Sequence, residues 1–154
     1  MKKYGFVDAT FNKETGVSTT TILTDLGLFT GTAYLHEEDR DIMSEYEGCK
    51  YAEWRAIIKY YKALLKQKKA IYLNLQNIIT NLDRMKDYNK DSREARFIRK
   101  QFYIARADYE SLKDYISMLE ENLYDMMKNY RGLRENYLKA IEKRRNKKSV
   151  LESI

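Results

Sequence analysis

The spacing of apolar residues changes once along this chain, from the two-residue period of strands to the longer period of packed helices. Runs rich in β-branched and aromatic residues occupy positions 4–11, 17–24 and 28–35. Turns containing glycine, at 12–16 and 25–27, separate them. This order predicts a three-stranded antiparallel β-meander.

Gly31 lies inside the third predicted strand. A glycine at such a position marks either a bulge or a close approach of another backbone. Three strands cannot bury both of their faces alone, so this N-terminal head, residues 1–43, is expected to pack on the helices or on another subunit.

The first predicted helix begins at a capping-box pattern formed by Ser44 and Glu47. Its apolar positions then alternate spacings of three and four, with Lys68 as the polar member. They are Trp54, Ile57, Tyr61, Leu64, Lys68, Ile71, Leu75, Ile78, Leu82 and Met85. The polar segment 87–90 interrupts the pattern and predicts a turn.

The second predicted helix keeps the same alternation without a break. A capping-box pattern at 91–94 precedes it, and its apolar positions are Ile98, Phe102, Ala105, Tyr109, Leu112, Ile116, Leu119, Leu123, Met126, Tyr130, Leu133, Tyr137 and Ala140. The absence of proline permits such long helices. We predict helices at about 44–88 and 92–147, forming a coiled-coil-like antiparallel hairpin over 44–154 with a frayed basic end at 144–148.

Each helix carries more apolar residues than one seam requires. The additional ones are Ile58, Leu65, Tyr72 and Ile79 on the first helix, and Phe97, Ile104, Tyr115 and Met118 on the second. Apolar stripes of this width favour a further partner, so the α+β chain is expected to form a homo-oligomer.

Charge is distributed unevenly along the chain. Residues 1–43 hold four basic and seven acidic residues, a net charge of −3, which leaves +9 for 44–154 in a chain of net charge +6. A basic helical part attracts phosphate.

No apolar run reaches the length of about 20 residues that spans a bilayer, so no membrane partner is expected. The single cysteine and the absence of a secretory leader indicate a reducing cytoplasm.

Catalytic constellations are not evident in the sequence. His36 is the only histidine, and it stands among carboxylates without the ligand spacing of a metal site. Cys49 would need His36 as its base, and a structural thiol is the simpler interpretation. We expect no cofactor and no enzymatic activity.

Basic and aromatic residues interleave early in the second helix, where arginine forks could hold phosphate and rings could stack on a base. Together with Arg55 on the first helix, the candidate ligand-binding residues are Arg93, Arg96, Phe97, Arg99, Tyr103 and Arg106. The alternative is an ordinary solvated surface of packed helices.

Three segments carry a resemblance to a known family: 24–33 (TDLGLFTGTA), 35–39 (LHEED) and 48–57 (GCKYAEWRAI). With the long helical hairpin behind them, the chain resembles the phage anti-Thoeris sponge proteins. The resemblance implies an oligomer in the bacterial host's cytoplasm that sequesters, without degrading it, the cyclic ADP-ribose isomer made by Thoeris TIR enzymes. It also implies a pocket shared between the N-terminal part of one subunit and the helices of its neighbour.

Two other functions remain open at this point. One is a protein-binding inhibitor or adaptor that uses the apolar helix faces, as an anti-CRISPR protein or a scaffold does. The other, less favoured, is a nucleic-acid binder that uses the basic helices; its affinity would fall steeply with salt.

The unbroken heptads generate a first prediction at Leu119. Replacing Leu119 by proline should lower the free energy of unfolding by at least about 3 kcal/mol, because it removes a helical hydrogen bond and clashes with the preceding turn. Thermal denaturation followed by circular dichroism measures the loss. Unchanged stability would show that Leu119 is not within a helix.

Overall fold

The computed structural model describes residues 4–34, 45–85 and 92–153. Three strands precede two long helices: β1 (Tyr4–Asn12), β2 (Val17–Thr24), β3 (Gly27–Tyr34), α1 (Glu45–Met85) and α2 (Arg93–Glu152). The strands form one antiparallel sheet in the order β1-β2-β3. The predicted α+β class, with a β-meander followed by two long helices, is confirmed.

Both predicted turns use glycine at positive φ. Gly16 has φ 70° and Gly27 has φ 110°, a region in which a side chain would be strained. The Asn12 side chain supports the first turn, since its Oδ1 accepts hydrogen bonds from the backbone N–H groups of Glu14 at 2.9 Å and Thr15 at 3.3 Å. These local interactions explain why each strand starts within one residue of its predicted position.

Gly31 marks a close backbone approach, and the bulge lies elsewhere, in β1 between Phe6 and Asp8. A Cβ atom built on Gly31 would overlap the carbonyl oxygen of Ala52 and the amide nitrogen of Ala56. Both atoms belong to the backbone of α1, so the third strand lies directly against that helix.

The chain divides into two compact units, which are described separately. The first comprises Met1–Lys62 and Leu123–Ile154, and the second comprises Ala63–Asn122. The first unit therefore contains the sheet and a stretch of each helix. The second unit contains a stretch of each helix alone. The predicted division into a head, 1–43, and a hairpin, 44–154, stays a prediction.

In the first unit the sheet packs on the beginning of α1. The face of the sheet that carries Ile22 and Gly31 is buried, and Tyr60 of α1 is completely buried. The Tyr60 hydroxyl donates to Asp25 at 2.5 Å, and the Thr20 hydroxyl donates to the carbonyl oxygen of Cys49 at 3.0 Å. The head thus covers one face of its sheet with α1 of the same chain, as one of the two predicted arrangements requires. The other face exposes Leu23 and Leu28, and its contact with another subunit stays a prediction.

The two helix stretches of the first unit run antiparallel. Near the start of α1, Arg144 donates to both carboxylate oxygens of Glu47, at 2.8 and 3.1 Å. One turn further along α1, the Tyr51 hydroxyl donates to the carbonyl oxygen of Leu133 at 2.8 Å. Helix α2 continues to Glu152, past the predicted end at about 147, while fraying of 144–148 stays a prediction.

In the second unit, Tyr72 of α1 stacks on Tyr109 of α2. The ring centroids are 4.5 Å apart and the ring planes differ by 17°, and a hydrogen bond joins the two hydroxyls. On one side of this pair, Lys69 forms an ion pair with Glu120 at 3.1 Å. Phe102 and Leu119 of α2 are buried, as the heptad pattern predicted.

In this unit, the residues of α1 that face α2 differ from those of the predicted seam. The heptad pattern predicts Ile71, Ile78 and Met85 on the seam, but their side chains are exposed. Tyr72 and Ile79 are half-buried instead. An α-helix drifts by about 20° per heptad relative to a strict 3.5-residue repeat, so the inward row moves onto neighbouring positions along the helix. Coiled-coil packing and oligomerisation stay predictions.

The start of α2 is capped by Ser92, whose Oγ accepts from the backbone N–H of Ala95 at 3.2 Å. The cap therefore lies one residue later than a capping box that begins at Asp91. Three further predictions, the capping box beginning at Ser44, the turn at 87–90 and the surroundings of His36, lie outside the described residues.

The close contact at Gly31 generates a second prediction. Gly31→Ala should lower the free energy of unfolding by about 1–3 kcal/mol, because the new methyl group meets backbone atoms that cannot rotate away. Gly5→Ala is the matched control, since a Cβ there meets no atom within 4 Å, and it should change stability by no more than about 0.5 kcal/mol. Urea denaturation of both variants measures the difference; equal effects would contradict the close approach.

Candidate functional site

Arg55, the candidate on α1, is engaged in the first unit. Its Nε donates to the Tyr130 hydroxyl at 2.8 Å, and its Nη1 donates to the carbonyl oxygen of Thr32 at 2.7 Å. One helical turn along α1, Lys59 Nζ donates to the carbonyl oxygen of Thr30 at 2.9 Å. Strand β3 lies at the edge of the sheet, and two cationic side chains thus satisfy its outward carbonyl groups.

The environment of Arg55 is a cluster of tyrosines. Tyr51 packs edge-to-face against Tyr130 and Tyr137, with ring centroids 6.1 and 5.1 Å apart. Burial, followed by neighbouring phenol and carboxylate groups, raises the pKa of both Tyr51 and Tyr137 to about 12. These phenols stay neutral near pH 7 and serve as packed hydrogen-bonding groups. Through its hydrogen bonds to Thr32 and Tyr130, Arg55 links β3 to α2.

The other six predicted residues lie together at the start of α2, in the second unit. Five of them are exposed and Arg99 is half-buried; the exposed ones are Arg93, Arg96, Phe97, Tyr103 and Arg106. The spacings of three, four and three from 96 to 106 place Arg96, Arg99, Tyr103 and Arg106 along one helix face. Arg93, three residues before Arg96, lies at the edge of that face, whereas Phe97 is turned by about 100° from Arg96 and points away from it.

A groove lies between the two helices of the second unit. Its volume is about 330 Å³, which is at the small end of the range for ligand sites. It is lined by Lys69, Tyr72 and Leu73 of α1 and by Lys113, Ile116, Ser117 and Glu120 of α2. The Lys69–Glu120 ion pair crosses it, and about half of each of those two side chains is exposed.

A basic row on α2 leads into this groove. Arg99, Arg106 and Lys113 recur at seven-residue spacing, which keeps them on nearly the same side of an α-helix. Glu120 is the next residue of the row and lines the groove with Lys113. Two arginines selected from the sequence thus belong to the flank that carries the groove.

Sequence reasoning missed Lys69, Lys113 and Glu120. The row of Arg99, Arg106, Lys113 and Glu120 is visible in the sequence as a seven-residue charge repeat. Its facing partner Lys69 is not, because only the register of α1 against α2 places Lys69 opposite Glu120.

The groove combines three kinds of contact. The ammonium group of Lys113 attracts an anion, while that of Lys69 is paired with the Glu120 carboxylate. Tyr72, Leu73 and Ile116 supply apolar surface. The Glu120 carboxylate accepts hydrogen bonds, which suits the hydroxyls of a sugar. This mixture fits a small anionic ligand that also has an apolar part.

No family model, curated protein or solved structure matches the chain.

Among the described residues, no helix is long and apolar enough to cross a membrane. Within the same residues, no three histidine, cysteine, aspartate or glutamate side chains gather as ligands for a metal ion. Cys49 is half-buried, and its thiol donates to the carbonyl oxygen of Thr10 at 4.0 Å.

The contacts of Arg55 generate a third prediction. Arg55→Ala should lower the free energy of unfolding by about 1–2 kcal/mol, because the carbonyl oxygen of Thr32 and the Tyr130 hydroxyl lose a charged donor. Arg55→Lys keeps the charge but not the planar fork, and should recover only part of that loss. Urea denaturation distinguishes the variants. An unchanged free energy of unfolding in Arg55→Ala would show that the hydrogen bonds of Arg55 do not stabilise the packing of β3.

Proposed function

We propose that this protein binds a cyclic ADP-ribose-type signalling nucleotide and sequesters it without degrading it, in the cytoplasm of a bacterial host. It would thereby act as a phage anti-defence protein that blocks Thoeris immunity. The resemblance of segments 24–33, 35–39 and 48–57 to the anti-Thoeris sponge proteins supplies the ligand class.

The observation that carries the proposal is the groove of the second unit together with the basic row that leads into it. A pyrophosphate carries two negative charges, and Lys113 and Arg106 lie one heptad apart on the groove's flank. Arginine binds phosphate through two parallel hydrogen bonds, whereas lysine acts as a compact point charge. The row therefore offers both modes of phosphate recognition.

The remaining groove residues match the rest of such a nucleotide. A ribose hydroxyl would donate to the Glu120 carboxylate, which already faces the cation of Lys69 at 3.1 Å. An adenine ring would lie against the apolar wall of Tyr72 and Leu73. Sequestration requires only such complementary contacts and no nucleophile or general base, and it returns the ligand unchanged.

A second candidate function has support from different residues. Apolar side chains on both helices of the second unit are exposed, among them Ile78, Ile104 and Phe97. A protein-binding inhibitor or adaptor would use such a face. It would show no stabilisation by a small nucleotide, so the two functions are separable by one binding experiment.

The fourth prediction concerns the ligand and is tested by titration calorimetry with cyclic ADP-ribose isomers. The wild type should bind one isomer, and a hundredfold excess over its dissociation constant should stabilise the fold by about 2.7 kcal/mol. Arg106→Gln and Lys113→Gln should each weaken binding by about tenfold or more while leaving the unliganded melting temperature unchanged. Mass spectrometry of the heated complex should recover the nucleotide intact.

Lys100→Gln is the matched control for the arginine and lysine variants. Lys100 is exposed and follows Arg99 directly, but it is turned by about 100° away from the basic row. It should bind like the wild type. No heat and no melting shift with any isomer would reject the nucleotide and favour the protein-binding function, whereas a cleaved nucleotide would reject sequestration.

A further inference from the structure

Tyrosine rings among the described residues pack against each other in two geometries. Tyr51 meets Tyr130 and Tyr137 edge-to-face, with interplanar angles of 83° and 67°. Tyr60 and Tyr61 meet at 63°. Edge-to-face contact is a preferred arrangement of packed aromatic rings, so these pairs need no explanation beyond packing.

The pair of Tyr72 and Tyr109 has the other geometry. Its ring planes differ by 17°, its ring centroids are 4.5 Å apart, and the Tyr72 hydroxyl donates to the Tyr109 hydroxyl oxygen at 2.5 Å. Since the two oxygens lie closer together than the two ring centroids, the rings converge at their hydroxyl ends. The ring carbons next to the oxygens, the ortho carbons, are therefore brought together. Ortho carbons are the positions at which two phenoxyl radicals couple.

The pair is both accessible and held in place. Both side chains are half-buried, so a small oxidant can reach them from the solvent. Tyr72 lies on α1 and Tyr109 on α2, 37 positions apart in the sequence, so the rings meet only because the two helices are packed. The hydrogen bond to Tyr109, followed by burial, raises the pKa of Tyr72. This phenol is therefore neutral near pH 7 and releases its proton when it loses an electron.

We propose that Tyr72 and Tyr109 form an oxidative modification site, at which a one-electron oxidant generated from hydrogen peroxide joins the two rings into a dityrosine. Each phenol loses one electron and its hydroxyl proton and becomes a phenoxyl radical. The radicals couple through a new carbon–carbon bond between their ortho carbons. The bond from each of those carbons to its hydrogen then breaks, and the hydrogen returns to the oxygen of the same ring as a proton. One molecule of hydrogen peroxide accepts the two electrons and two protons and is reduced to two molecules of water.

The geometry selects this pair over the other tyrosines. In the edge-to-face pairs, an edge of one ring meets the face of the other, so the ortho carbons are not aligned. Tyr34 and Tyr124 are 75% and 67% exposed, but neither contacts another tyrosine ring among the described residues. Their radicals would have no partner in the same chain.

The product would link α1 to α2 by a carbon–carbon bond, which thiols do not reduce. Such a link stabilises the folded chain because it restricts the unfolded one. Tyr72 also lines the groove, so the link would fix one wall of the groove. The modification needs no nucleotide and is independent of the proposed ligand.

Mass spectrometry of the full chain, treated with a haem peroxidase and hydrogen peroxide, tests the site. Under denaturing conditions the wild type should keep the mass of one chain less two hydrogen atoms, and it should gain dityrosine fluorescence. Digestion should yield one cross-linked pair of peptides that contain Tyr72 and Tyr109. The melting temperature of the treated protein should rise by about 10 °C.

Tyr72→Phe and Tyr109→Phe each keep the ring but cannot form a phenoxyl radical, so both variants should lose the cross-link and the rise in melting temperature. Tyr61→Phe is the matched control, because Tyr61 is also half-buried and lies 5.2 Å from the ring of another tyrosine; it should be cross-linked like the wild type. Circular dichroism before treatment verifies that each variant is folded. A wild type without the loss of hydrogen, a cross-link at another pair or only between chains, or an undiminished product in Tyr72→Phe would each overturn the proposal.

Discussion

The contact between Gly31 and the backbone of α1 at Ala52 and Ala56 is the constraint on which the first unit depends. Because no side chain separates the two backbones, the face of the sheet that carries Ile22 is sealed against the helix. The same approach brings the edge of β3 within reach of Arg55, which donates to Thr32. Edge carbonyl groups that would otherwise face water are thereby satisfied by cations of the same chain.

The second unit has two sides of opposite character. On one side, Lys69, Lys113 and Glu120 surround a groove, and charge suits a surface that exchanges water for an anionic ligand. On the other side, Ile71 and Ile78 of α1 and Ile104 of α2 expose apolar side chains. An exposed apolar patch of this kind is the surface that the second candidate function, a protein-binding inhibitor or adaptor, would use. The two proposed functions therefore rest on different surfaces of the unit.

Much of the fold could be predicted because it follows from local chemistry. Gly16 and Gly27 adopt backbone angles that favour glycine, and they define the turns of the meander. The candidate site was harder to predict from the sequence. Arg55 was selected because an arginine beside an aromatic residue suits a nucleotide, yet its donors reach Thr32 and Tyr130. The role of Lys69 could not be predicted, because its ion pair with Glu120 depends on the register between two helices.

The sequence by itself determined the order of strands and helices, the turns, and the excess of apolar positions on both helices, because periodicity and glycine act over a few neighbouring residues. Only the tertiary structure decided which of those apolar positions face inward. Tyr72 stacks on Tyr109, while Ile71 and Ile78 remain exposed. A straight α-helix turns gradually away from a strict heptad repeat, and packing against the other helix decides which residues then face inward. Contacts between residues distant in sequence, such as Glu47 with Arg144, also follow from that packing.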